Sequence, residues 1–252
     1  MKWTPKAQIL FSSKGTARPV PADLVSVCVT TYNYEKYIIN CLQSVSAQCH
    51  KNLELIVVDD ASHDDDTCKT TKEWMELNQH RFHRVRLLVN SRNQGPSATR
   101  NTGFECADSE FVFVLDADNE IYPRAIREMY AVARDGRFDA VYSQLEFFGI
   151  ETHLGYADIY DPDMLRQGNY IDAMALISKK AWQEVGGFSH LELGWEDYDF
   201  WLKFQDAGFA IGFIPEILCR YRTHGKSRTD IDALPSHEKL SLIMSLRHPF
   251  ST

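Results

Sequence analysis

Short apolar runs alternate with polar breaks along the first 150 residues. Leu24–Thr30, Leu53–Val58, Val85–Val89, Phe111–Leu115 and Ala140–Phe147 are rich in valine, isoleucine, leucine and phenylalanine. Runs of this length that are apolar on both faces predict buried strands. Between them lie predicted helices: Tyr37–Ala47, Asp66–Asn78, Pro96 to about Ala107, and Pro123–Arg134. In the first, Ile38, Leu42 and Val45 share one face. Pro96 and Pro123 stand where a helix starts, and Gly136 where one stops. Strand and helix in alternation predict an α/β, Rossmann-like architecture with a mostly parallel central sheet.

After Phe148 the rhythm changes. Residues 149–168 are polar, aromatic and irregular, and loops that long in a compact domain usually carry function. Tyr170–Ile177 reads as a strand, Lys179–Val185 as a short helix, and Gly186-Gly187-Phe188 as a turn. Glu196–Ala207 reads as a helix stopped by Gly208, with an extended piece over Phe213–Tyr221. Arg222–Asp230 is a basic loop, and His237–Ser245 a plausible helix. The expected organisation is an arm or linker over 1–23, one domain over 24–231, and a helical tail over 232–252. The mixed second half reads as the side built for an acceptor.

Bulk composition changes this picture little. A formal net charge of -8 with no basic stripe argues against nucleic acid as a partner. Six cysteines without a Cys-x-x-Cys pair argue against a zinc site and for reduced thiols in a cytosolic setting. Residues 1–23 hold no apolar run longer than Ile9-Leu10-Phe11, so no signal peptide is expected. No stretch approaches the roughly 18 apolar residues of a spanning helix. The expected location is cytoplasmic, with at most peripheral contact at the inner face of a membrane.

Polar clusters follow three of the strand runs: Thr30-Thr31-Tyr32-Asn33, Asp59-Asp60, and Asp116-Ala117-Asp118. Parallel strands would gather all three at one carboxyl edge, where open α/β sheets bind ligands. Asp116 and Asp118 alternate along the chain so that both can face the same way. One or two carboxylates there, with substrate phosphates, are a common way to hold a hard divalent cation. Each cluster alone also fits a blander role as a helix cap or an acidic turn. A fourth acidic pair, Glu196-Asp197, opens a later helix, where carboxylates also suit the helix dipole.

The motif series resembles family 2 glycosyltransferases. It comprises Val27–Asn33, Leu55–Ser62, Asn93–Asn101, Asp116-Ala117-Asp118, Val185–Phe188 and Trp195–Trp201, in the family's order. The likeness covers roughly residues 25–224. It implies the GT-A fold, a nucleotide diphosphate sugar donor, Mn²⁺ or Mg²⁺, and transfer with inversion. Two departures are Val29-Thr30, where many relatives carry Ile-Pro, and Thr99 before Arg100, where alanine is usual.

Roles follow from chemistry and resemblance together. Tyr32 offers a face to the nucleobase, and the Thr30–Tyr32 backbone, with Asn33 beyond it, borders the donor. Asp60 can accept the N3–H of uracil or thymine, a donor that cytosine lacks, and the expected donor is a UDP-sugar. Gly95 and Arg100 belong to the donor side, Arg100 pairing with a phosphate or with Asp116. Asp116 would face the ribose and Ala117 would belong to the donor side, Asp118 would bind the cation, and the resemblance places His224 on the cation or the diphosphate. Arg222, Lys226 and Arg228 could close over the phosphates. Asp197 is the expected general base, Glu196 orients the acceptor, and Trp195 could stack on an acceptor sugar. That acceptor would be a glycan or a lipid-linked glycan. The rival readings are a nucleotidyltransferase, an aspartate-nucleophile phosphatase, and an inactive sugar-nucleotide-binding module. Glu120, two residues after Asp118, weakens the phosphatase.

Overall fold

The apolar runs become neighbours in one sheet. A computed structural model describes residues 7–13, 19–225 and 235–249. In chain order it contains β1 (Ala7–Ser12), β2 (Val25–Thr31), α1 (Glu35–Ser46), β3 (Leu53–Asp59) and α2 (Thr67–Asn78). Next come β4 (Arg84–Asn90), α3 (Pro96–Cys106), β5 (Phe111–Asp116), β6 (Glu120–Ile121) and α4 (Ala125–Gly136). β7 (Ala140–Gly149), β8 (His153–Leu154), α5 (Pro162–Gln167) and β9 (Ala175–Ser178) follow. The chain then forms α6 (Lys179–Glu184), α7 (Glu196–Asp206), β10 (Ile211–Thr223) and α8 (His237–Arg247). The strand order is β1-β4-β3-β2-β5-β9-β7-β10-β6, with β8 beside β7.

Strands β4, β3, β2 and β5 are parallel, and so are β7 and β10; short antiparallel β9 joins the two groups. Register decides what the sheet edge carries. Thr30 lies opposite Asp116, and Thr31 opposite Asp59, so the polar residues ending β2, β3 and β5 emerge together.

Alternation along β2 divides the core. Val25, Val27 and Val29 face one side, with Ile38 and Leu42 of α1 and Ile126 and Met129 of α4. Cys28 faces the other, with Val112, Val114, Phe104, Trp182, Phe200 and Phe204. Burying each such large side chain contributes about 1.5–3 kcal/mol.

Three differences from the sequence-based expectation have physical causes. Residues 7–12, read as part of an arm, form an edge strand antiparallel to β4. Ile9 and Leu10 remain exposed, and the register slips between Ile9 and Phe11. A bulged edge strand with one uncovered face lacks a clean period-2 pattern. The strand expected over 170–177 shrinks to 175–178. Upstream, Asn169 Oδ1 accepts the Ile171 N–H (3.2 Å) and Asp172 Oδ1 accepts the Met174 N–H (2.7 Å), so side chains replace the ladder there. Finally, α4 ends on Arg137 in the left-handed region (φ 54°), while Gly136 stays helical and leaves room for the Phe138 ring.

The second half is fastened by a buried charge cluster. Asp199 of α7 is fully buried and takes Arg247 Nε at 2.6 Å and His248 Nε2 at 3.0 Å. His248 Nδ1 meets Asp206 Oδ2 at 3.0 Å. Burial works against the Asp199 charge, but these hydrogen bonds and Lys203 hold its carboxyl well below the usual range. Burial also works against the His248 charge; Asp199 and Asp206 outweigh it and push the imidazole up. The end of α8 is thereby clamped to the helix that opens with Glu196 and Asp197.

Candidate active site

Arg100 joins the two halves of the site. It projects from α3 and is only 5% exposed. Its Nη2 donates to both Asp116 oxygens (3.1 and 2.9 Å) at the end of β5. Its Nη1 donates to Glu196 Oε1 (2.9 Å) at the start of α7. Thr30 Oγ1 adds a 2.6 Å bond to Asp116 Oδ1. Burial works against the guanidinium charge; Asp116, Glu196 and Asp197 outweigh it and keep Arg100 protonated. Acids that are far apart in sequence therefore face one another across one cation.

Asp197 lies beside that bridge, partly buried in the first turn of α7. Its Oδ1 accepts the Tyr198 N–H (2.8 Å), and its Oδ2 accepts Asn169 Nδ2 (3.1 Å). Burial, then the Glu196 charge, push its carboxyl up to about 6, with Arg100 opposing. The preceding Trp195 has φ 61°, a strained conformation for a bulky residue, typically costing about 1–2 kcal/mol. Its ring meets Tyr198 (5.6 Å) and His237 (5.2 Å) edge-on.

Asp118 forms the other pole. Its Oδ2 lies 2.9 Å from His224 Nε2, which arrives just past the end of β10. The imidazole stacks on Tyr37 (5.4 Å between centroids, 30°) and meets Tyr34 edge-on. Burial first, then Asp118 and Asp116, push the Tyr34 hydroxyl well above its ordinary range, so it stays a donor. Arg222 bonds the Asp118 carbonyl (2.8 Å) through Nε, and its own N–H reaches Asn119 Oδ1 (2.9 Å). These contacts tie β10 to the acidic turn. Among the described residues no group of three or more His, Cys, Asp or Glu could hold an ion by itself. Asp118 with His224 is a two-ligand, oxygen-and-imidazole set. It suits Mn²⁺ or Mg²⁺ when phosphate and water oxygens complete the shell.

Just past the end of β3, Asp60 is almost fully buried. Its Oδ1 accepts Asn90 Nδ2 (2.6 Å) and the Gln94 N–H (2.9 Å). Its Oδ2 accepts the Gly95 N–H (2.8 Å) and a longer bond from Gln94 (3.1 Å). Gly95, at φ 83°, supplies the conformation this turn requires. Tyr32 keeps an open face, its ring 5.9 Å from that of His63.

Several expected donor residues serve the scaffold. Asn33 takes the Ser62 hydroxyl with its N–H, while its side chain bonds residues 63 and 64. Ala117 is fully buried, and its N–H reaches the Thr30 carbonyl (3.0 Å), which holds Asp116 and Asp118 in place. The Thr31 carbonyl accepts the Asp60 N–H (2.8 Å). Lys226 and Arg228 lie outside the described residues.

Sequence reading passed over Asn169 and Asp172, and gave Asn101 no role beyond closing the Asn93–Asn101 motif. Asn101 accepts from the Phe188 N–H and Trp182 Nε1 and donates to the Phe188 carbonyl, stapling the Gly186-Gly187-Phe188 turn onto α3. Asp172 lacks any motif context, and only its folded neighbours single it out.

The model of "Glycosyl transferase family 2" matches residues 26–186, and the chain belongs to that family. It is 25% identical over 221 residues to the O-antigen biosynthesis protein RfbC of Myxococcus xanthus, covering 86% of this chain but 17% of that protein. An uncharacterized glycosyltransferase of Haemophilus influenzae is 27% identical over 235 residues, covering 82% and 68%. Among solved structures, a fragment of S. aureus TarS in complex with UDP-GlcNAc superposes with a TM-score of 0.72 at 17% identity, covering 90% of this chain and 68% of that one. The mannosyltransferase PcManGT of Pyrobaculum calidifontis, in complex with GDP-Man and Mn²⁺, gives 0.65 at 21%, covering 96% and 66%. At such identities the superpositions speak for the fold, which is GT-A.

Proposed function

We propose that the protein transfers a monosaccharide from a UDP-sugar to a hydroxyl of a glycan or lipid-linked glycan, with inversion. The observation that carries this is the Arg100 bridge. It sets the acids at the β5 end against those at the start of α7, leaving a diphosphate pole at Asp118 and a proton-accepting pole at Asp197.

Asp197 acts as general base. Its carboxyl, raised to about 6, is ionised at neutral pH and a stronger base than an ordinary aspartate. Tyr198 and Asn169 aim it at the acceptor hydroxyl. Direct displacement needs one such base opposite the departing diphosphate and no nucleophile from the protein. Asp118 and His224 would hold Mn²⁺ or Mg²⁺, which would supply Lewis-acid neutralisation of the diphosphate leaving group. That PcManGT was solved with Mn²⁺ supports a divalent cation in this role.

Uracil as the base is supported by the hydrogen-bond count at Asp60. Three N–H donors, from Asn90, Gln94 and Gly95, already occupy the carboxylate, the Gln94 one shared between both oxygens, so no more than one lone pair is left for a ligand. One acceptor matches the single N3–H of uracil. Guanine presents two adjacent donors and would want both oxygens free. An O-antigen or similar polysaccharide acceptor is suggested by RfbC.

The experiment is donor turnover with UDP- and GDP-sugars in Mn²⁺, with and without chelator. UDP-sugar consumption abolished by chelator is expected. GDP-sugar preference would overturn the uracil assignment, and full chelator resistance the cation. His224→Ala is expected to weaken Mn²⁺ binding at least tenfold.

A further inference from the structure

The segment from Asn169 to Met174 passes beside the start of α7. At one end Asn169 holds Asp197; at the other the chain enters β9. Between them stands Asp172, partly buried. One of its oxygens accepts the Met174 N–H at 2.7 Å. Its other oxygen has no hydrogen-bond partner among the described residues. Burial pushes its carboxyl up to about 7; the charges of Asp197 and Asp116 add to this, while the Met174 N–H and Arg100 oppose it. Asp172 therefore lies within electrostatic reach of both the β5 end and the start of α7.

An acid in that position destabilises the empty protein, because it adds a partly buried carboxyl beside two like charges. Packing gives no reason for it: a neutral residue could receive the Met174 N–H as well. A ligand rich in hydroxyl donors gives a reason. The donor diphosphate belongs at Asp118, and attack belongs at Asp197. The ring being transferred must span the interval between them, and Asp172 is near enough to Asp116 and Asp197 for their charges to act on it.

We propose that Asp172 is a specificity-determining residue that accepts hydrogen bonds from hydroxyls of the transferred monosaccharide. The proposal rests on the donor-sugar reading above. It assigns Asp172 no proton transfer. Its free oxygen discriminates between sugars that differ in the configuration of one hydroxyl, since the wrong epimer leaves a partly buried acceptor unpaired.

The test measures kcat/KM for hydrolysis or transfer with UDP-glucose, UDP-galactose and UDP-GlcNAc in Mn²⁺, for wild type, Asp172→Asn and Asp172→Ala. Binding of UDP, which carries no sugar, is measured in parallel by calorimetry. The wild-type preference among the three donors is expected to shrink about 10- to 100-fold in Asp172→Ala. Asp172→Asn, which keeps one acceptor oxygen, should fall between. UDP affinity should stay within twofold in both, which also shows that the variants fold. A preserved donor ratio with normal UDP binding overturns the proposal and leaves the glycosyltransferase reading intact. Equal losses on all three donors also overturn it, making Asp172 a general support of the cleft. A wild type that neither binds UDP nor consumes any of the three donors takes both readings down.

Discussion

Arg100→Ala removes a buried cation from between two carboxylates. Glu196, whose side chain is 10% exposed, and Asp116, 30% exposed, would both lose the guanidinium they share. Breaking a buried ion pair by removing one member costs about 3–5 kcal/mol, chiefly from the charge left behind. Water can reach Asp116 more easily than Glu196, so the lower end, about 3 kcal/mol, is expected. For a chain of this size 1 kcal/mol shifts the melting temperature by about 2–4 °C, giving a drop of about 6–12 °C. Thermal and urea unfolding followed by circular dichroism measure it. A second substitution sharpens the reading. Glu196→Gln in the Arg100→Ala background removes one of the two like charges that faced the guanidinium, so it should recover about 1–2 kcal/mol, while in the wild type it destabilises. A loss below about 1 kcal/mol for Arg100→Ala, or no recovery in the double variant, would refute the idea that this guanidinium binds the two halves together.

Other outcomes follow from the same geometry. Asp197→Asn should retain UDP binding and lose about 10²- to 10⁴-fold in turnover; near-normal turnover would remove Asp197 from its role. The base works only when deprotonated, so the wild-type rate should fall about tenfold per pH unit below about 6 and level off above it. A pH–rate profile that breaks near 4 would mean that burial does not govern this carboxyl. Gly187→Ala places a methyl 2.6 Å from Asn101 Oδ1 on a backbone with φ 71°, and should cost about 2 kcal/mol or more in urea unfolding. Asn101→Ala should cost a similar amount, and the pair should be less than additive, because both break one staple.

The sequence carried the architecture where each segment's own pattern sufficed. Five apolar runs marked β2, β3, β4, β5 and β7 because strands covered on both faces tolerate little polarity. It carried the gathering of polar residues at one sheet edge too: once strands are parallel, residues that follow them must emerge at one end, as Thr30 and Asp116 do in register. It missed β1, since an edge strand borrows its structure from β4. It also misread 170–174, where two side chains outcompete the strand ladder.

What the amino-acid order settled alone was local: period, polarity, caps, and the family's motif series. What needed the folded chain was pairing between residues on different elements, from a few tens of positions to about a hundred apart. Arg100 bonding Glu196, His224 meeting Asp118, Asn169 holding Asp197, and Asp172 lying among acids from other segments are such pairings. No periodicity encodes them. A hydrogen bond or a shifted carboxyl depends on distance and on water excluded by third parties, and both exist only after the core has closed.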